Sequence, residues 1–153
     1  MDEDKNYYIV PPCLFDVLPL FMDEIEPFNL NQTLSGKLTP HMTPYVKIWI
    51  NGVEWEAALD TGAYQTHIGS MAAKALNLQA DGETMGKYPV VGHTLTNIYT
   101  LNYIVKGVEN LFTDKFIELP FEYSFPIILG SKFIGRCKEF NITPESRSFV
   151  LKL

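Results

Sequence analysis

Between Tyr45 and Ala63 an Asn-Gly pair separates two runs of alternating apolar residues, and the second run leads without a break into Asp60-Thr61-Gly62. Asn51 and Gly52 both tolerate the positive φ of a tight hairpin turn. Tyr45-Val-Lys-Ile-Trp-Ile50 and Val53-Glu-Trp-Glu-Ala-Ala-Leu59 are therefore expected to pair as a β-hairpin. A chain whose regular part opens this way is committed to a sheet, and an aspartate is delivered at a strand end where the backbone turns. Gly62 lets the chain turn and brings its N–H near the carboxylate. Thr61 adds a hydroxyl able to lock the loop. Taken alone, the three residues also suit an ordinary turn.

The rest of the chain continues mostly at period two. Ser70 is placed to cap a short helix over Met71–Leu76. Gln79–Gly86 reads as a loop, followed by a hairpin from Lys87 to Val105 with Gly92 near its tip. Leu111–Leu119 reads as a strand, and Phe125-Pro-Ile-Ile-Leu-Gly130 as a short apolar strand that ends at a glycine. Ser131–Arg136 suits one or two helical turns, and closing strands are expected at Glu139–Ile142 and Phe149–Leu153 around Pro144. Many short strands with one or two short helices predict a mainly β, closed or partly open barrel. Residues 1–44 are rich in proline and read as an N-terminal arm with one short strand near Gln32–Leu38; the regular domain is taken as 45–153.

Composition removes several functions. With 153 residues the chain suits one domain, and 46% hydrophobic with 20% charged residues is ordinary for a soluble protein. A net charge of -6 with no basic patch argues against nucleic-acid binding. The apolar run Tyr7–Met22 is broken by Asp16, Pro11, Pro12 and Pro19 and follows an acidic leader, which argues against a membrane span or a signal peptide. Cys13 and Cys137 show no metal or redox spacing, which suits free thiols in a reducing, cytoplasmic setting. His41, His67 and His93 show no ligand spacing and are expected to be surface or packing residues. No metal and no cofactor are implied.

The order of these motifs resembles the retropepsin-like aspartic proteases of retroviruses, pararetroviruses, retrotransposons and some cellular proteins. The resemblance rests on the hairpin around Asn51-Gly52, then Ala58-Leu59-Asp60-Thr61-Gly62-Ala63, a short helix, and the glycine-bearing hairpin around Val91-Gly92-His93. It closes on Ile127-Ile128-Leu129-Gly130-Ser131-Lys132-Phe133-Ile134, and covers roughly residues 45–153. It implies a subunit with one catalytic aspartate, Asp60, completed by a second identical chain across a two-fold axis. Thr61 and Gly62 would complete the catalytic triplet with Asp60, Thr61 bracing the pair across that axis. Ala63, Tyr64, Ile128 and a flap tip at Val91, Gly92 and His93 would meet an extended peptide or polyprotein substrate. Ile127–Gly130 would form the strand behind the loop, with Gly130 allowing close backbone approach.

Two positions depart from the retroviral pattern. Tyr64-Gln65 follows D-T-G-A where Asp or Ser is common, and Ser131-Lys132 follows I-L-G where Arg then Asp or Asn is common. Both halves of a possible ion pair are missing together, which leaves no buried unpaired charge and bears on the dimer contacts more than on the chemistry. An inactive peptide-binding or dimerisation module with the same fold is the alternative. A small binding barrel whose D-T-G is only a turn is a further one. The apolar patches at Phe15, Leu18, Leu20 and Phe21 resemble the flanks such proteases cut. The arm itself reads equally as a polyprotein linker, a dimerisation strand or a pro-segment.

Overall fold

The computed structural model describes residues 26–88 and 91–153; the apolar patches at Phe15, Leu18, Leu20 and Phe21 lie outside them. In chain order the elements are β1 (Thr33–Lys37), β2 (Tyr45–Ile50), β3 (Val53–Leu59), β4 (Thr66–Ile68), α1 (Ser70–Ala75), β5 (Gly82–Tyr88) and β6 (Gly92–Val105). Then follow β7 (Leu111–Glu118), β8 (Ile127–Leu129), α2 (Ser131–Ile134), β9 (Glu139–Thr143) and β10 (Ser148–Lys152).

The Asn-Gly turn forms as its chemistry demands, with Asn51 at φ 52 and Gly52 at φ 79. The hairpin it closes pairs Ile50 with Val53 through Tyr45 with Ala58. Along β2 the burial alternates, and Val46, Ile48 and Ile50 point into the core. β3 ends differently: Ala57, Ala58 and Leu59 are all buried, and so are Ile127, Ile128 and Leu129 of β8, which pairs parallel with them. Strands covered on both faces read as unbroken apolar runs.

The strands follow the order β2-β3-β8-β4-β7-β6, and Ile48 and Trp49 of β2 pair with Val105 and Ile104 of β6 to close the ring. This is a six-stranded barrel. β5 lies outside it, paired only with the first half of β6, so β5 and β6 project as a hairpin. A separate three-stranded sheet, β9-β10-β1, joins residues 33–37 to the C-terminal strands. Phe28, Leu30 and Leu34 pack on the same core.

Two local expectations are corrected, and one strand was not expected. Residues 82–86, expected in a loop, belong to β5, because Glu83, Thr84 and Met85 have partners in Asn97, Thr96 and Leu95. Ser70 does not cap α1. The N-cap is Gly69, without a side-chain hydrogen bond, and Ser70 is the first helical residue. The sequence also gives no sign of β4, whose three residues are too few to show a period; it forms because β7 and β8 flank it.

Candidate functional site

Asp60 sits where β3 ends. Its backbone N–H donates to Leu129 O (3.0 Å), and its own carbonyl accepts from Ala63 N–H (3.2 Å), which turns the chain back. Within that turn Gly62 N–H donates to Asp60 Oδ1 at 2.8 Å. The residue is 6% exposed, and Oδ2 is buried without a hydrogen-bond partner. Burial raises the carboxyl from its ordinary 3.8 to about 6, against the Gly62 hydrogen bond, which favours the ionised form. One oxygen is thus held, and the other is buried without a hydrogen bond.

The loop is gripped from behind by Gly130 and α2. Ser131 N–H donates to Ala63 O (2.6 Å) and Lys132 N–H to Tyr64 O (2.9 Å). These backbone bonds explain why the unusual Ser131-Lys132 pair is compatible with an ordered loop: the amides act, whatever side chains they carry. Gly130 has no substitute. A Cβ there would lie 2.3–2.6 Å from the carbonyl oxygens of Gln65, Ala63 and Tyr64, so the close backbone approach expected of this glycine is what the structure requires.

The other candidate residues divide into two groups. Thr61 is exposed beside Asp60, Gly62 is half-buried, and Ala63 and Tyr64 are buried. Ile128 is fully buried, paired in register with Ala58 and packed with Ala63 and Leu119. These belong to one assembly with Asp60. Val91 lies instead in the turn between β5 and β6, and Gly92 and His93 open β6 beside it. Thr94 Oγ1 donates to Val91 O and Gly92 O, and His93 pairs with Lys87. Gly92 has φ 71, which a glycine adopts without strain; Pro89 and Val90 lie outside the described residues.

Two residues near the site carry no signal in the sequence. His67, in register with Ile128 on β4, is 2% exposed, and burial lowers its pKa from 6.5 to about 4. Tyr88, at the end of β5, is 4% exposed and lies against His67 and Phe121. Only tertiary pairing brings them together. Among the described residues no three His, Cys, Asp or Glu side chains gather where a metal could be held, and no helix is long and apolar enough to cross a membrane.

No protein-family model matches the sequence, and no curated protein matches it. Solved structures do. A retropepsin-like aspartic protease from Rickettsia conorii superposes with a TM-score of 0.60 at 17% identity, over 78% of this chain and 89% of that one. Looser likenesses are the simian foamy virus protease (TM-score 0.45, 20% identity, 60% of this chain and 92% of that one) and the retroviral protease-like domain of Ddi1 from Leishmania major (TM-score 0.46, 19% identity, 67% and 82%). With its closed barrel, projecting hairpin and buried strand-end aspartate, the chain has the retropepsin-like fold.

Proposed function

We propose that the chain is one half of a dimeric aspartic endopeptidase, its active site formed by Asp60 and the Asp60 of a second copy. The observation that carries this reading is the buried, unpartnered Oδ2 at a rigid strand end. A lone buried carboxyl oxygen of this kind lacks a partner that an identical carboxyl on a two-fold axis supplies. Like charges so close cannot both ionise, so the pair holds one proton and titrates as a unit. The exposed Thr61 beside it is free to brace the two loops across that axis.

The chemistry follows from the shared proton. The ionised Asp60 takes a proton from a water between the carboxyls, and the water oxygen bonds to the peptide carbonyl carbon. The protonated Asp60 gives its proton to the carbonyl oxygen. Collapse of the tetrahedral intermediate breaks the C–N bond as a proton passes to the amine nitrogen. The β5–β6 hairpin, with Val91, Gly92 and His93 at its turn, closes over an extended peptide that pairs with backbone groups as a strand does. Ala63, Tyr64 and Ile128 shape the adjoining wall. The substrate is an extended peptide segment, as in polyprotein processing, met in a reducing, cytoplasmic setting.

The test is cleavage of a peptide mixture from about pH 4 to 7 by the chain and by Asp60→Asn. Loss of at least about a thousandfold in the variant, with the fold intact, is expected. Cleavage retained by Asp60→Asn removes the assignment. The unusual Tyr64-Gln65 and Ser131-Lys132 pairs favour one other reading, a peptide-binding module of the same fold without catalysis. That module would bind peptides yet be indifferent to a statine-type inhibitor, since it has no tetrahedral state to mimic.

A further inference from the structure

His67 touches two parts of the proposed site, the Asp60 loop and the projecting hairpin. On one side its Nδ1 lies 3.1 Å from Gln65 O, at the end of the loop that carries Asp60. A carbonyl oxygen only accepts, so Nδ1 carries the proton and donates. Burial keeps the ring neutral at ordinary pH, which leaves Nε2 as an acceptor. On its other side Nε2 lies 3.5 Å from the Tyr88 hydroxyl, a long bond in which the phenol donates. The rings meet edge to face, with centroids 6.2 Å apart at 76°.

Tyr88 is the last residue of β5, paired with Gly92 across the hairpin end. Its ring is held on its own hairpin as well. A Cβ on Gly86 would fall 2.6–2.9 Å from the Tyr88 ring and hydroxyl, so the ring lies across that glycine. Phe121, beyond β7, closes the other side at 5.8 Å.

We propose that His67 and Tyr88 form a latch, in which the Tyr88 hydroxyl on the projecting hairpin is held by His67 on the barrel wall and sets how far the hairpin stands from the Asp60 loop. They are positioning residues, and neither touches the scissile bond. The catalytic consequence rests on the protease reading above; the structural one does not. Releasing the latch lowers the fraction of chains whose hairpin is closed before substrate arrives. Apparent affinity falls by that fraction, while the rate of the fully closed complex is retained.

Three variants test this: Tyr88→Phe, which removes only the hydroxyl; His67→Leu; and the double variant. Gly86→Ala, which displaces the Tyr88 ring while keeping both polar groups, is a fourth. Tyr88→Phe is expected to raise KM about fivefold, the size of one neutral hydrogen bond, with kcat within about twofold. The double variant is expected to be no worse than the poorer single one, because both lose the same contact. General loss of structure would instead reduce the amount of active enzyme at unchanged KM. Amide hydrogen exchange of the unliganded chain is read in parallel. Faster exchange confined to residues 82–88 and 92–98 in Tyr88→Phe supports the latch even if the wild-type chain cleaves nothing. Unchanged exchange there, or KM effects that multiply in the double variant, overturns it.

Discussion

Asp60 and His67 are buried titratable side chains seven positions apart in the sequence, and burial moves their pKa values in opposite directions. For Asp60 the folded value of about 6 stands above the ordinary 3.8. Between those values the folded state holds the proton more tightly than the unfolded one, so stability falls as pH rises through that window. At about 1.4 kcal/mol per pH unit the penalty at neutral pH is about 3 kcal/mol for the single chain. For His67 the folded value of about 4 stands below 6.5; there the unfolded state takes the proton more readily, and stability rises with pH by a similar amount. The two effects offset from about pH 4 to 6. Asp60→Asn removes one of them. Its stability gain over the wild-type chain, from urea unfolding, is expected to be near zero at about pH 3.5 and to reach about 3 kcal/mol at pH 7; a gain independent of pH would show that Asp60 is not perturbed as described. Gly130→Ala is expected to act in the other direction. Its methyl group meets three backbone carbonyls that cannot all retreat, and a loss of about 3 kcal/mol in thermal unfolding is expected. An unaltered melting temperature would mean that the loop is not gripped there.

At the level of elements, what could be read in advance is what local chemistry decides. The β2–β3 hairpin was legible because Asn51 and Gly52 adopt the left-handed conformations that their side chains, or lack of one, permit. Gly52→Val is expected to cost about 1–2 kcal/mol, since it forces a β-branched residue to φ 79 although no atom crowds the position; a change within experimental error would place the turn's preference elsewhere. Asp60 and Gly130 were legible for the same reason, each standing at the end of an apolar strand. β4 was not, because Thr66–Ile68 owes its conformation to β7 and β8 on either side. Nor was β5: Gly82, Glu83 and Gly86 are poor strand formers alone, and β6 supplies their pairing. The same limit hid His67 and Tyr88, twenty-one residues apart, whose meeting depends on where a hairpin folds. Ser70 misled because serine is a good N-cap in general, whereas here the preceding Gly69 takes that place while its N–H donates to Pro126 O.

For the whole molecule, the question is how much of residues 26–44 the barrel needs, given that the sequence pattern places the start of the regular domain at Tyr45. β1 covers one side of β10, pairing Thr33 with Lys152 through Lys37 with Ser148. The chain is tied again where Gln32 and Leu153 exchange backbone hydrogen bonds of 3.2 and 2.8 Å. Phe28 lies edge-on to Phe112 at 5.3 Å, tilted against Phe133 at 5.1 Å, and under the Arg136 guanidinium at 4.2 Å. Arg136 in turn donates through Nε to Glu26 O and pairs with Asp114. Removing residues 26–44 would strip one edge of β10 and uncover Phe149, Leu151 and Leu153, all at or near zero exposure. Phe28, Leu30 and Leu34 are each only partly buried, so together they contribute roughly 3 kcal/mol or more of apolar burial. A chain beginning at Tyr45 is therefore expected to unfold at lower urea than one beginning at Glu26, and to associate through the bared edge of β10. Equal urea midpoints for the two chains would show that the barrel stands alone, and that residues 26–44 serve something other than its stability.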